Sequence, residues 1–487
     1  MRRDLEWITN AVDGALVAPD LVSGLQDQQV ELRNVTTDSR ECVPGSLYVA
    51  RVGENSDGHD YIDSAARNGA VCAIVETPER GLQIPQIVVK ESTIALGDLA
   101  RAHLADLRRS QEISVVGITG SAGKTTTKDL LARVGKAFAP TVAPKLSFNN
   151  EVGCPLTVLK ADRTTRYLVL EMGASGAGHI AYLTDIAPLD VAVVLMVGRA
   201  HLGGFGSEQA LASAKAELVE GLLPGGTAVL NQDDPLVWAM RAKVDGEVIG
   251  VSANGSPGAQ LAATDVELDG AGRPTFVVTT PSNKIPVQMR LVGAHQVSNA
   301  LAALGAAQAM GLDLYRSARV IESAPPDSPH RMDIQTLPLS AVKGSGEGNF
   351  TLLDDSYNAN PDSMGAAFAV ASELAKGQSR ILMVLGEMLE LGDGSTAIHR
   401  EVGDKAMATN PALLIELSEE PIYAPGMSSD TTEVVVAPDP EIAHRLLVNS
   451  LREGDVVLIK GSNGSRSWEV ADMLTEAASN VDAKDAK

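Results

Sequence analysis

The segment Gly117-Ile-Thr-Gly-Ser-Ala-Gly-Lys-Thr-Thr126 constrains this chain more than any other part of it. It closes the β-branched run Ile113 to Thr119 and opens a stretch in which Leu130, Leu131, Val134 and Phe138 share one helical face. A strand, a glycine loop and a helix in that order make an anion cradle. Glycines let the backbone wrap a phosphate, successive N–H groups point at it, and the helix start is its positive end. Lys124 is spaced to reach β- and γ-phosphates, and Thr125 to present its hydroxyl to Mg²⁺. Gly120, Ser121, Ala122, Gly123 and Thr126 complete the candidate nucleotide loop. Strict P-loop spacing asks for glycine at 118, where this chain has Ile118, so Gly117 and Gly120 bracket a variant loop.

Such a loop answers a problem set by the charge. The 487 residues carry 62 acidic and 40 basic side chains, a formal charge of −22. That balance disfavours nucleic acid and anionic membrane as partners, since both need a basic footprint. A nest of amides can still bind a phosphate locally. No run reaches the ~18 apolar residues of a membrane span, and the N-terminal MRRDLEWITNAV lacks the apolar segment of a signal peptide. Cys42, Cys72 and Cys154 are odd in number and far apart, which fits a reducing, cytoplasmic compartment and no disulfide framework. Aromatic residues make up only 3%, so the core must rest on Ala, Val and Leu, and no platform for base stacking exists.

Length argues for about three domains. Residues 1–110 read as a small α/β unit, with strands at Ser46 to Ala50, Ala70 to Glu76 and Gln86 to Lys90 and a helix at Thr93 to Arg109. Residues 111–328 alternate strands and helices and imply a mainly parallel sheet, with further strands at Tyr167 to Leu170, Val191 to Val197 and Thr227 to Leu230. Within this unit 251–290 reads as hairpins or a loop excursion, 295–313 as helix, and APPDSP at 324–329 as a linker. Residues 329–487 repeat the doubly wound pattern as a Rossmann-like unit with strands near 350, 381, 413, 434 and 456. The fold class is therefore α/β throughout.

A nucleotide triphosphate needs a metal, and two strand ends offer ligands. Glu171 follows the strand YLVL, and His201 follows Val191 to Val197 in AHLGGFGS. His201 reads equally as a buried, hydrogen-bonded imidazole. Lys215 lies on the apolar stripe of Leu211, Leu218 and Leu222 in a helix read from Glu208 to Leu223. It either pairs with an acid or is an amine converted by CO₂ into a carboxylate-like group near a metal. After the strand FTLL, the segment 354–364 places Asp355, Asn358 and Asn360 at a strand end, with Asp362 and Ser363 as candidate helix caps. Lys460-Gly-Ser-Asn-Gly-Ser-Arg466 is a second polar turn suited to a carboxylate or phosphate. A P-loop switch or motor remains an alternative reading of the nucleotide loop alone.

These stretches together resemble the Mur ligases, and within that family the type that adds D-alanyl-D-alanine to UDP-N-acetylmuramoyl-tripeptide. The likeness runs through Thr37-Asp-Ser-Arg40, DGHDYI from Asp57, GITGSAGKTT, Asn149-Asn-Glu-Val-Gly-Cys-Pro155 and AHLGGFGS. It continues in NQDDP from Asn231, GAHQVSNALAA from Gly293, DDSYNANP and VLGEMLELG from Val384. The resemblance implies an ATP-dependent peptide ligase of peptidoglycan synthesis, monomeric, working through an acyl phosphate, and a separate role for each domain. Residues 1–110 would grip the UDP-sugar, 111–328 ATP, and 329–487 would close over ATP and the dipeptide. It assigns Asp38, Ser39 and Arg40 to the uridine nucleotide. Lys124 and Thr125 go to phosphate and Mg²⁺, and Glu171 and His201 to metal, with two ions implied. Lys215 becomes a carbamate, which with Lys124 and His201 makes the catalytic set. Asn299, Arg331 and Asp355 fall to ATP, and Asn149, Asn150, Asn358, Asn360 and Lys460 to the substrates. Where the family pattern has an arginine after Lys-Gly-Ser, this chain has Asn463, which leaves Arg466 to supply that contact or leaves it lost.

Overall fold

The computed structural model describes residues 2–17, 29–53, 56–145, 147–198, 205–326, 328–344, 347–376, 379–423 and 431–485. Buried β-branched runs form the middles of three sheets, and amphipathic helices cover their faces. The first sheet has five strands in the order Ala15–Val17, Gln86–Val88, Ala70–Val75, Ser46–Val49 and Asn34–Thr36. It is parallel except for its antiparallel edge Ala15–Val17. A small antiparallel pair, Arg2–Asp4 with Gln29–Glu31, lies beside it.

The second sheet has nine strands, and Ser114–Thr119 lies between Tyr167–Glu171 and Leu189–Val194. All three run parallel, with Glu171 in register with Ile118 and Val194 with Thr119. Their carboxyl ends therefore converge, which is where ligands bind in such sheets. The stretch 251–290 does form the expected hairpins, and they continue this sheet. Leu261–Leu268, Pro274–Thr279 and Lys284–Gln288 extend the same sheet, the last two joining antiparallel. Their alternating burial explains why periodicity showed hairpins while the shared sheet stayed hidden. The segment read as 295–313 is a helix only over Gln296–Ala309, and a second helix, Leu314–Ser323, follows. The Lys215 helix is Glu208–Glu220, and the following strand already begins at Leu222.

The core matches the shortage of aromatics. Helix Gln296–Ala309 is almost entirely Ala, Leu and Gly on its buried surface, and it packs on the sheet at backbone distance. A β-carbon on Gly305 would come within 2.8 Å of Val229 Cγ1. Small side chains thus replace bulk with closeness and keep interior packing dense.

The third sheet has six strands in the order Asp333–Pro338, Asn349–Asp355, Val456–Lys460, Ile381–Gly386, Leu413–Leu417 and Glu433–Ala437. All pair parallel except the first. It carries two cores of its own, one on each face. The helix Ser92–Ser110 is shared between the other two sheets: Ala95, Leu96 and Leu99 enter the first core, while Ala100, Leu104 and Leu107 enter the second. Among the described residues no helix is long and apolar enough to cross a membrane.

Candidate active site

The converging strand ends open into one cavity of about 1260 Å³ whose walls come from all three sheet-bearing regions. Its floor is the glycine loop. Gly117 is not part of that loop. It sits inside the strand, where a β-carbon would meet Leu189 Cδ1 at 2.6 Å. The turn itself is Gly120 to Gly123. Gly123 caps helix Lys124–Phe138 with φ +83°, a left-handed conformation, and a β-carbon there would run into Asn299 Oδ1. Only glycine meets both demands.

Lys124 Nζ donates to Gly120 O at 2.7 Å, folding its ammonium back over the loop. Burial pulls its pKa below the usual lysine value, and the charge of Arg331 adds to this, while Glu171 and Glu390 oppose it. Thr125 Oγ1 donates to Glu171 Oε2 at 2.9 Å and stands 2.8 Å from Ser147 Oγ, which accepts from Arg331 Nη2 at 2.7 Å. With Thr125 donating to the carboxylate, the chain runs Arg331 to Ser147 to Thr125 to Glu171. Asn149 Nδ2 completes it by donating to Glu171 Oε1 at 3.0 Å. The Arg331 guanidinium also stacks 4.1 Å over the Tyr357 ring.

Lys215 lines the same cavity and is 2% exposed. Its helix turns it inward as the stripe predicts, but no carboxylate meets it among the described residues. Burial, aided by the charge of Lys124, brings its pKa down to about 7. His201 lies outside the described residues.

The remaining residues sort by what their side chains already hold. Lys460 is 1% exposed and pairs with Asp355 Oδ2, while donating to Asn358 O at 2.9 Å. Asp355 Oδ1 accepts from Met332 N at 3.1 Å. These two expected ligand contacts therefore form a buried ion pair on the cavity wall. Asn360, rather than Asp362 or Ser363, caps helix Pro361–Ala375: its side chain accepts from Ser363 N at 2.9 Å in a capping box. Its Nδ2 donates to Ser121 O at 3.4 Å, so the cap touches the glycine loop. Asn150 Oδ1 likewise accepts from Gly153 N at 2.9 Å and starts a helix. Asn299 Nδ2 donates to Gln296 Oε1 at 2.9 Å beneath the loop.

Ala122, Thr126 and Asn358 line the cavity. The structure does not bring Asp38, Ser39 and Arg40 to it. Arg40 is an exposed partner of Asp38, whose carboxyl it holds below the usual range. Arg466 stays at the surface, paired with Glu469, and does not reach the cavity. Sequence reasoning missed Ser147, which carried no signal beyond its place before Asn149. It also assigned no role to His295 or Glu390, both inside quoted segments and both on the cavity wall. His295 Nε2 accepts from Gln296 Nε2 at 3.1 Å, and burial lowers its pKa, so the ring is neutral.

Family models match three stretches of the chain. These are the Mur ligase family catalytic domain over 31–104, the Mur ligase middle domain over 118–307, and the Mur ligase glutamate ligase domain over 331–463. The chain is 38% identical to a UDP-N-acetylmuramoyl-tripeptide–D-alanyl-D-alanine ligase of Mycobacterium tuberculosis, over 93% of this chain and 95% of that one. It is 32% identical to the Escherichia coli protein of the same name, over 94% and 97%. The crystal structure of MurF from Acinetobacter baumannii superposes with a TM-score of 0.82 at 27% identity, covering 98% and 99%. That of MurF ligase from Thermotoga maritima in complex with ADP gives 0.76 at 28%, covering 93% and 99%.

Proposed function

The chain belongs to the Mur ligase family, and we propose that its cavity joins D-alanyl-D-alanine to UDP-N-acetylmuramoyl-tripeptide with conversion of ATP to ADP and phosphate. The observation that carries this reading is the meeting of a glycine-loop lysine with walls from all three regions in one cavity. A ligase with three substrates needs such a meeting; a nucleotide switch does not.

The chemistry follows from a carboxylate's poor reactivity. At neutral pH it does not acylate an amine, so its oxygen must first become a good leaving group. Transfer of the γ-phosphoryl group to the tripeptide carboxylate does this. Lys124 and the loop amides would bear the charge of the moving phosphoryl group, and Arg331 would add a second cation from the C-terminal side. The amine of the dipeptide then attacks the acyl phosphate and phosphate leaves. No protein nucleophile is required.

The donor set suits a hard divalent cation. Glu171 is 1% exposed and its hydrogen-bond partners Thr125 and Asn149 are neutral oxygen or amide groups. No cluster of three or more His, Cys, Asp or Glu occurs among the described residues, so protein ligands alone would not fill a shell. That is the usual condition of Mg²⁺, which keeps waters and phosphate oxygens. Thr125 and Glu171 would hold it, with His201 as a third ligand, and Mg²⁺ would supply charge neutralisation of the phosphates. Whether one ion or two are held is part of the same proposal.

Lys215 fits a carbamate. A buried amine near pKa 7 is substantially neutral at physiological pH, and only the neutral amine adds CO₂, with release of one proton. The product is an anion facing the Lys124 ammonium. In this reading residues 1–110 bind the UDP-sugar through Asp38, Ser39 and Arg40, 111–328 bind ATP, and 329–487 close over ATP and dipeptide. Asn299 and Asp355 support the nucleotide, and Asn149, Asn150, Asn358, Asn360 and Lys460 shape the substrate wall. The protein would act as a monomer in the cytoplasm, where nucleotide-linked substrates reside.

Phosphate release with ATP, Mg²⁺ and the UDP-linked tripeptide should depend on D-alanyl-D-alanine and yield a pentapeptide product by mass. Release indifferent to the dipeptide, with no such product, would sink the ligase reading.

A further inference from the structure

The chain enters its third region through the turn 328–332, whose backbone takes an unfavourable shape. His330 has φ +58° and Met332 φ +51°, both left-handed, with Arg331 between them. That conformation costs an L residue about 1–2 kcal/mol, and it persists only where the surroundings over-determine it. Glycine at 330 would remove the cost, so the histidine side chain has to contribute something that glycine lacks.

Its contacts show what that is. His330 Nδ1 donates to Asp354 Oδ2 at 2.7 Å. Asp354 is 3% exposed, and its other oxygen accepts from Ser356 N at 3.1 Å, which fixes the carboxylate at the end of strand Asn349–Asp355. The hydrogen bond to Asp354 lifts the imidazole above its usual pKa; burial opposes this, and the charges of Asp354, Asp472 and Asp333 support it. Asp472, on helix Ser467–Asp485, stands 3.7 Å from the other ring nitrogen. The backbone is tied to the same strand end. Tyr357 N donates to His330 O at 3.0 Å, and Met332 N donates to Asp355 Oδ1 at 3.1 Å. Both neighbours of Arg331 are thus fastened to the third sheet.

Arg331 is the residue this clamp projects. Its guanidinium lies over Tyr357 and donates to Ser147 Oγ, beside Thr125 in the second region. Its charge is felt at Lys124. An arginine side chain carries about 2 kcal/mol of rotamer entropy. A base that also swung would add to the freedom lost when the guanidinium meets a phosphate, and a fixed base avoids that loss.

We propose that His330 is a positioning residue: clamped on Asp354, it holds the left-handed turn that delivers the Arg331 guanidinium to the terminal phosphate of ATP. This rests on the nucleotide half of the ligase reading above. The terminal phosphate distinguishes ATP from ADP, so the clamp acts on ATP far more than on ADP.

Isothermal titration of the full-length protein, in Mg²⁺, with ADP or with the β,γ-imido analogue of ATP tests this. His330→Ala should weaken the ATP analogue by about tenfold and ADP by less than about twofold. Arg331→Ala should show the same selectivity, and adding His330→Ala to it should lose no further affinity, because the two residues act as one unit. His330→Asn tolerates the left-handed backbone and can still donate to Asp354, so it should stay within about threefold of wild type for both nucleotides. His330→Gly relieves the strain but lacks the clamp; it should match His330→Ala, and it carries the test if the alanine variant does not fold. Equal weakening of both nucleotides, a further loss in the Arg331→Ala background, or full ATP-analogue affinity in His330→Gly would each overturn the proposal. If the nucleotide pattern is as expected but the wild type forms no pentapeptide, the ligase reading fails and the clamp stands.

Discussion

Two buried lysines in one cavity illustrate how position decides chemistry. Burial lowers the pKa of both: at Lys124 nearby carboxylates oppose the shift and Gly120 O accepts from the amine, whereas Lys215 lies on an apolar helical stripe with no such opposition and falls to about 7. Lys124→Ala should lower kcat by about a thousandfold or more in a phosphate-release assay, since the lost cation acts on the transferring group. Lys215→Ala should be nearly inactive but partly rescued by formate or acetate; a folded variant that no short carboxylate rescues would count against the carbamate. Stability gives a second test. Lys215 has its folded-state pKa depressed from 10.5 to about 7. Below pH 7 it is charged in both folded and unfolded chains, so the burial penalty is complete, on the order of 5 kcal/mol. Between about pH 7 and 10.5 the folded amine is neutral while the unfolded one is still charged, and the penalty fades. In CO₂-free buffer, Lys215→Met should therefore exceed wild type in urea midpoint at pH 6, and its advantage should shrink toward pH 10.

At the scale of elements, the loop–helix junction at Gly123 is the most sensitive point. Gly123→Ala would force an L side chain into φ +83° and against Asn299, and the conformation alone costs about 1–2 kcal/mol. The variant should fold with a lower Tm and show no further rise in Tm with ATP and Mg²⁺. Asn360→Ala should cost about 1 kcal/mol through the lost cap, and Asn360→Asp, which keeps the acceptor but not the amide donor to Ser121, should restore stability more than activity. These elements were legible in the sequence for a physical reason: strand, glycine turn and helix each leave a local pattern, as Ser114–Thr119 and Lys124–Phe138 did. What stayed hidden was non-local. The Asp355–Lys460 pair joins residues 105 apart, the Ser147 contact to Arg331 spans 184, and the hairpins after 251 give no local sign of the sheet they continue. Asn360 was visible as a polar residue before a helix. That its side chain is spent on the cap was not.

The whole molecule is acidic, with a formal charge of −22, whereas the ligands of the proposed reaction are strongly anionic. Binding must then be local, through loop amides, a bound cation and a few charges such as Lys124 and Arg331. Chelating Mg²⁺ should remove most of the ATP-induced rise in Tm, while about 0.3 M KCl should leave most of it, because contacts inside the cavity are shorter than the screening length. The reverse ranking would mean that surface charge holds the nucleotide. The helix Ser92–Ser110 has a mechanical implication. One end is rooted in the first core and the other in the second, whereas the third region keeps nearly all of its apolar contacts to itself, with Val292 as its borrowed core residue. Stretched between its termini in an optical trap, the chain should not release its three sheets one by one. The third should let go as an independent step, and the first two should give way together, since neither can lose the helix without opening the other. The same linkage bears on synthesis: as the chain emerges, the first sheet cannot bury the far half of its last helix until the second has arrived.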